Sequence, residues 1–397
     1  MRVRSVGIIC ECNPFHEGHK YLISRARASG ADAIVCLMSG YFVQRGEAAV
    51  ADPYVRAKAL LSGGADLVLE LPYPYASAGA EFFADAGVEV LSSLGVAELW
   101  FGSECGDLSR LSKAADAVLS EQFAACYESY TTDAMGTAQA YFAALQRVCG
   151  EGESFLSNDI LGISYLAALR KKRSAILPVT IQRHGSAYLD QTVRAGEYPS
   201  ATALRRLIAE NGLEASLACF LPETADALRA AAARGTLSAD LSHAERAILA
   251  RLRLCDTGEL DEIAELEGGL GNRLIELSGS ATSLAQLLSL AATKKYPTSR
   301  ICRGILFAMT GVTKADLRMS PAYVRVLAAD AIGCAFLAKN RKNDSIPTVT
   351  RQTDLPQTAF AKRQSRLHEK AIALYSLCLE HPLDASAFLR QSALILK

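Results

Sequence analysis

The 397 residues carry 42 Lys plus Arg against 42 Asp plus Glu, half are hydrophobic and 21% are charged. That is the balance of a globular chain, long enough for two or three domains. A net charge of zero excludes capture of nucleic acid by overall charge, so such a partner would need a local basic patch. Eleven cysteines, an odd number without a Cys-x-x-Cys pair, read as reduced thiols with no disulfide-linked partner. Cys10-Glu11-Cys12 has no second pair at zinc-site spacing, so no metal centre is expected. The first apolar stretch meets Glu11 too early for a signal peptide, and no apolar run reaches the roughly 18 residues of a membrane span. A cytoplasmic protein is expected.

In chain order, residues 3–10 form a short apolar run, 18–28 a helical pattern, and 33–38 a second apolar run. Residues 53–61 are helix-like with Pro53 in the first turn, 67–71 are a third run, 80–94 a helix closed by Gly95, and 96–101 a fourth run. Short apolar runs alternating with helices predict βαβ units on a parallel sheet buried on both faces. Residues 107–148 read as helical and 175–182 as a fifth strand. Beyond about residue 200, Ala and Leu recur at helical spacing. The chain therefore divides into an α/β domain over 1–205 and a mainly helical domain over 206–397. Residues 340–359, with Pro347 and Pro356, read as an ordered loop or short strand pair.

Asn13-Pro14-Phe15-His16-Glu17-Gly18-His19 falls between the first strand and the first helix. Ligands of open α/β sheets bind beyond the carboxyl ends of the strands, which is where this loop must lie. Gly18 permits close approach of a nucleotide, and the helix start presents free N–H groups to phosphate. His16 and His19, three residues apart, share a helix face. Two imidazoles aimed at one point can donate to phosphate oxygens as an α-phosphate is attacked, and Lys20 adds a charge nearby. A bare His-x-x-His would sooner be read as polar residues on a surface turn or as metal ligands, since short motifs match by chance. The strand, glycine and helix around it favour nucleotide binding.

His16-Glu17-Gly18-His19 resembles the HIGH-type signature of the nucleotidyltransferase superfamily. The chain is similar nearly end to end to the bacterial tRNA(Met) cytidine acetate ligase family. The similarity is carried by Met38-Ser39-Gly40-Tyr41-Phe42-Val43-Gln44-Arg45-Gly46-Glu47, Asp66-Leu67-Val68-Leu69-Glu70-Leu71-Pro72, Phe101-Gly102-Ser103-Glu104, Ser157-Asn158-Asp159-Ile160-Leu161-Gly162 and Tyr323-Val324-Arg325-Val326-Leu327. The resemblance implies a Rossmann-like domain followed by a helical one. It implies an enzyme that joins acetate to ATP, releases pyrophosphate and passes the acetyl group to the wobble cytidine of elongator tRNA(Met), giving N4-acetylcytidine.

It further implies His16 and His19 as catalytic residues and an ATP site along Gly7, Ile8, Ile9, Cys10, Glu11, Cys12, Asn13, Pro14, Phe15, His16, Glu17, Gly18, His19 and Lys20. Gly102, Asn158 and Arg183 would complete that site. Mg²⁺ would accompany the triphosphate. Gly102 could otherwise simply end a strand, Asn158 cap a helix and Arg183 pair with an acid. Ser200, Thr202 and Arg205 are similar to the Ser-x-Thr-x-x-Arg segment that holds terminal phosphates in related enzymes, although a plain capped helix would look the same.

For tRNA, Lys294, Lys295, Tyr296, Arg300 and Arg303 lie in a stretch with four basic residues and no acid. Tyr296 could stack on an unpaired base. Lys339-Asn340-Arg341-Lys342 and Lys362-Arg363-Gln364-Ser365-Arg366 are further basic clusters, though such runs are commonly solvated faces. Two alternatives stay open: a small-molecule adenylyltransferase of the same superfamily, and a non-catalytic RNA-binding protein.

Overall fold

A computed structural model describes residues 4–132, 135–150, 152–183, 199–237, 239–340 and 345–396. The five expected strands are present as β1 (Ser5–Cys10), β2 (Ala33–Ser39), β3 (Leu67–Leu71), β4 (Glu98–Ser103) and β5 (Leu177–Gln182). They pair in parallel in the order β5-β4-β1-β2-β3. The chain winds outward from β1 through β2 to β3, then crosses to the other side of β1 to lay down β4. The strand order therefore reverses between β1 and β4, which opens a crevice at their carboxyl ends.

Helices cover both faces of this sheet. Alternation along β1 sends Val6, Ile8 and Cys10 into one core with helices Glu17–Ala28 and Pro53–Ser62, and Ile9 into the other with helix Ala80–Ser93. That second helix lies very close to the strand. A Cβ on Gly7 would stand 2.8 Å from Leu91, and one on Gly87 would stand 2.6 Å from Ile9.

The sheet does not stop where the α/β domain was expected to end. Val324–Ala329, an unbroken buried run, forms β6 and pairs antiparallel with β3. Thr348–Val349 (β7) and Leu394–Ile395 (β8) then pair in parallel with β6. The division after residue 205 is thus not respected by the sheet: the C-terminal half is mainly helical but supplies three strands to it. Of the ordered loop or short strand pair expected over residues 340–359, the described part holds one two-residue strand, β7, whose partner is β6. The helical stretch expected over 107–148 is three helices, Leu108–Val118, Glu121–Thr132 and Thr137–Cys149. Among the described residues no helix is long and apolar enough to cross a membrane, and all eleven cysteines are free.

Candidate active site

The loop after β1 is held from below and from both sides. Arg56, 2% exposed on the helix behind it, spends its guanidinium entirely on main-chain carbonyls. Its Nε donates to Ala51 O at 2.9 Å, Nη1 to Glu11 O at 2.7 Å, and Nη2 to Ser39 O at 2.9 Å and to Gly40 O. One buried fork therefore ties the carboxyl end of β1 to that of β2. Asn13 Oδ1 accepts from Val50 N at 2.7 Å. Arg205 Nη1 donates to Asn13 O at 2.7 Å, while its Nη2 pairs with Glu47 at 3.1 Å. Thr224 Oγ1, from the helical half, donates to Phe15 O at 2.9 Å, and Lys20 pairs with Glu223 at 2.9 Å.

His16 is the N-cap of helix Glu17–Ala28. Its Nδ1 accepts from Gly18 N at 3.0 Å, and His19 Nδ1 accepts in turn from His16 N at 3.4 Å. This is a reciprocal capping box built from two imidazoles. A main-chain N–H can only donate, so neither Nδ1 carries a proton, and each neutral ring must carry its hydrogen on Nε2. The rings lie 4.0 Å apart between centroids. Burial, the partner ring and the guanidinium charges of Arg183 and Arg205 keep His16 well below the usual histidine range. Burial chiefly, with Arg183, lowers His19 to about 4. At neutral pH the pair therefore presents two oriented Nε2–H donors beside two fixed positive charges. Such a set suits an anion that gains charge during reaction.

Across the switch point, Gly102 lies near the end of β4, opposite Ile181 of β5. A Cβ there would stand 3.0 Å from Arg183 Cγ, so the arginine stem lies over the glycine. Asn158 does not cap its helix with its own side-chain oxygen. Its main-chain N and Nδ2 both donate to Glu104 Oε1, at 3.2 and 2.6 Å, while Asp159 N donates to Glu104 Oε2 at 2.8 Å. Asp159 Oδ1 returns the exchange by accepting from Glu104 N at 2.9 Å. Asn158 is thus held at the β4 end by Glu104. Ser200 caps helix Ala201–Asn211 through Ala203 N at 3.1 Å, which carries Thr202 on the first turn and brings Arg205 to the histidine loop.

Not every expected ATP contact lies in the open. Ile8 and Ile9 are core side chains, Gly7 is required for helix packing, and Cys10 and Cys12 are buried thiols. Of residues 7–12, the end of the run at Glu11 adjoins the crevice. Sequence reasoning did not single out Arg56, Glu104, Glu223 or Thr224. Arg56 sits inside an apolar helix and gives no local signal, whereas Glu104 lies within a quoted motif.

The basic stretch near residue 300 is placed differently from its expected role. Tyr296 is 8% exposed and its hydroxyl donates to Gly268 O. Arg300 is 7% exposed and donates to the carbonyls of Glu265 and Glu267 at 3.0 and 2.9 Å. Arg303 forms a two-pronged pair with Glu265 at 2.9 Å for each prong. The local stretch has no acid, but the fold brings two glutamates onto it. Lys294 remains exposed and Lys295 half-buried. Lys362 and Arg366, also exposed, line a groove of about 240 Å³ with Gln352, Leu355 and Pro356, whereas Arg363 pairs with Asp316 at 2.7 Å. Arg341 and Lys342 fall outside the described residues.

The sequence profile of the HIGH Nucleotidyl Transferase family matches residues 3–387. The tRNA(Met) cytidine acetate ligase of Acetivibrio thermocellus is 32% identical, over 96% of this chain and 96% of the relative. That of Bacillus licheniformis is 33% identical over 96% and 94%. Among solved structures, apo Thermotoga maritima TmcAL matches with a TM-score of 0.91 at 29% identity, over 99% of each chain. The same protein bound with alpha-thio ATP matches at 0.88 with 28% identity, again over 99% of each.

Proposed function

We propose, for a chain that belongs to the HIGH Nucleotidyl Transferase family and within it to the tRNA(Met) cytidine acetate ligases, that the crevice at the ends of β1 and β4 activates acetate with ATP for transfer to the wobble cytidine of elongator tRNA(Met). The observation that carries this reading is the reciprocal cap of His16 and His19, which uses both Nδ1 atoms and leaves both Nε2 atoms to the site, with the charges of Arg183 and Arg205 acting on His16.

In the first step an acetate oxygen attacks the α-phosphorus, the bond to the bridging oxygen breaks, and pyrophosphate leaves. Nothing in this step requires a covalent enzyme intermediate; the protein positions and stabilises. His16 and His19 donate to the α-phosphate oxygens as charge builds. Arg205, Ser200 and the start of helix Ala201–Asn211 hold the outer phosphates. Gly102 gives the nucleoside access to the main chain, and Asn158 offers its remaining amide functions to the ribose or base. Mg²⁺ would be bound through the triphosphate's own oxygens and water, as its chemistry favours; among the described residues there is no cluster of three His, Cys, Asp or Glu able to hold a metal. In the second step the N4 amine of cytidine displaces AMP from acetyl-adenylate. The wobble base lies in a loop, so presenting it unstacked costs little. For the tRNA backbone we propose Lys294 and Lys295, with the exposed Lys362 and Arg366.

The test is incubation of purified protein with labelled acetate, ATP and transcribed tRNA(Met). Label in the tRNA as N4-acetylcytidine is the expected result. Turnover of ATP only with a small-molecule acceptor would replace the reading by a small-molecule adenylyltransferase, and no turnover would leave an RNA-binding protein.

A further inference from the structure

The transfer step has a requirement that the phosphate-binding groups do not meet. As the N4–C bond forms, the amine nitrogen must lose a proton, and a weakly basic exocyclic amine needs a group to receive it. Most candidate acceptors around the crevice are committed elsewhere. His16 and His19 each use Nδ1 to accept a main-chain N–H and carry a proton on Nε2. Glu47 pairs with Arg205 at 3.1 Å, and Glu223 with Lys20 at 2.9 Å. Glu104 and Asp159 each spend both oxygens on main-chain amides of the other's segment or their own. Glu17 opens helix Glu17–Ala28, where its carboxylate sits at the positive end of the helix dipole.

Glu11 remains. It is the first residue past β1, at the switch point, and its carboxylate is half committed. Oε1 accepts from Gln44 N at 3.0 Å, while Oε2 receives no hydrogen bond from the described residues. Its backbone is fixed, since Arg56 Nη1 holds its carbonyl at 2.7 Å. We propose that Glu11 accepts the proton of the cytidine N4 amine during acetyl transfer. This assignment rests on the functional reading above. The N4 lone pair forms the bond to the acetyl carbon, the acyl carbon–oxygen bond breaks, AMP leaves with that electron pair, and the N4 proton passes to Glu11 and then to solvent.

Two further features fit. A carboxylate is the acceptor that matches the N4 amino group of cytosine, and it would oppose the O4 of uracil, so the same contact would discriminate the base. The charged groups facing Glu11 are Arg205 from helix Ala201–Asn211, and Arg45 and Glu47 from the turn after β2; the Tyr165 hydroxyl lies near it from helix Ser157–Lys171. Burial outweighs the two arginines and raises the carboxyl above its ordinary value, toward the range of a working base.

The experiment separates the half-reactions. Acetate-dependent ATP–pyrophosphate exchange reports adenylation, and labelled acetate in transcribed tRNA(Met) reports transfer. Both are measured for wild type, Glu11→Gln and Glu11→Asp, with the transfer step followed in single turnover across pH. In Glu11→Gln the ratio of transfer to exchange is expected to fall by about a hundredfold or more. The alkaline rise of the transfer rate should vanish with it, and Glu11→Asp should restore part of both. An unchanged ratio, or a wild-type pH profile in Glu11→Gln, overturns the assignment and makes Glu11 a structural or ATP-site residue. Exchange without any label in tRNA from the wild-type enzyme overturns the functional reading itself, and the role of Glu11 with it.

Discussion

His19 accepts the main-chain N–H of His16 while His16 accepts that of Gly18, so the two imidazoles close the helix start and, by doing so, fix their own tautomers. Structure and chemistry are shared by the same rings, the cap through Nδ1 and the chemistry through Nε2–H. An N-cap contact is worth about 1 kcal/mol, and a transition-state donor about a hundredfold or more in rate. His16→Ala should therefore lose both. His16→Asn should keep most of the cap, because asparagine is a good N-cap, yet still lose adenylation. Thermal unfolding with ATP–pyrophosphate exchange on the two variants checks this. Normal exchange in His16→Asn would show that the His16 Nε2–H contributes nothing to the chemistry.

Gly18 has the same dual dependence. A Cβ at this position would stand 2.8 Å from His16 Cε1, closer than real Cβ contacts come. The ring must then swing away from the Gly18 amide and carry its Nε2–H off target. Gly18→Ala should lower exchange at least tenfold, because misplacement of a reacting group by about 1 Å costs on that scale or more. The melting temperature should move by only a few degrees. Full activity would mean that the ring has slack in this direction.

A third prediction concerns a group outside the crevice. Glu70, buried at the end of β3, faces His368 at 3.6 Å, and burial raises its carboxyl from 4.5 to about 7. Above pH 7 the group is ionised in both folded and unfolded chains, and folding bears the full desolvation cost. As pH falls from 7 to 4.5 the folded chain binds the proton first, so this group's contribution becomes more favourable. At roughly 1.4 kcal/mol per tenfold in proton affinity, the span is about 3 kcal/mol. His368, held well below its ordinary value by burial and then by Arg325, acts in the opposite sense on acidification. The difference between wild type and Glu70→Gln isolates the carboxyl. The variant should be more stable at pH 8, with the advantage shrinking toward pH 4.5. An advantage that does not change with pH would assign it to packing instead.

The α/β half was legible because β1, β2 and β3 are buried along their whole length and so read as nearly unbroken apolar runs; the runs at 33–38 and 67–71 lie within a residue of β2 and β3. The histidine loop was legible because strand, glycine and helix are consecutive in the chain. β6 was not, since Val324–Ala329 is a six-residue run interrupted by Arg325 among Ala- and Leu-rich helices, with no local mark that says strand, and its partner β3 lies more than 250 residues earlier. Arg56 was invisible for a related reason. Its carbonyl partners come from the loop after β1, the end of β2 and the loop before its helix, and only tertiary structure assembles them. The stretch around Arg300 misled in the reverse direction: locally free of acids, it is neutralised by Glu265 and Glu267 from another segment.

That last contrast makes a test of where tRNA is held. Arg300 is a buried clamp, and removing it leaves the carbonyls of Glu265 and Glu267 without their donor. An unsatisfied buried acceptor costs about 1–3 kcal/mol. Arg300→Ala should lower the melting temperature, and once folded it should bind tRNA(Met) with nearly wild-type affinity. Lys294, Lys362 and Arg366 are exposed, and Lys295 is half-buried with its Nζ donating to Gly268 O at 3.3 Å. Phosphate contacts act through counterion release, so each one lost should lower the slope of log affinity against log salt by about 0.7–0.9. Lys294→Glu with Lys295→Glu, and separately Lys362→Glu with Arg366→Glu, should weaken tRNA binding at low salt and flatten that slope without altering ATP–pyrophosphate exchange. Filter binding across a salt series reads both quantities. If Arg300→Ala instead loses tRNA affinity at unchanged stability, the guanidinium leaves its carbonyl partners when RNA binds, and the residue returns to the interface. If either lysine-containing pair is neutral in affinity and slope, that patch is a solvated face and the backbone track lies on the other.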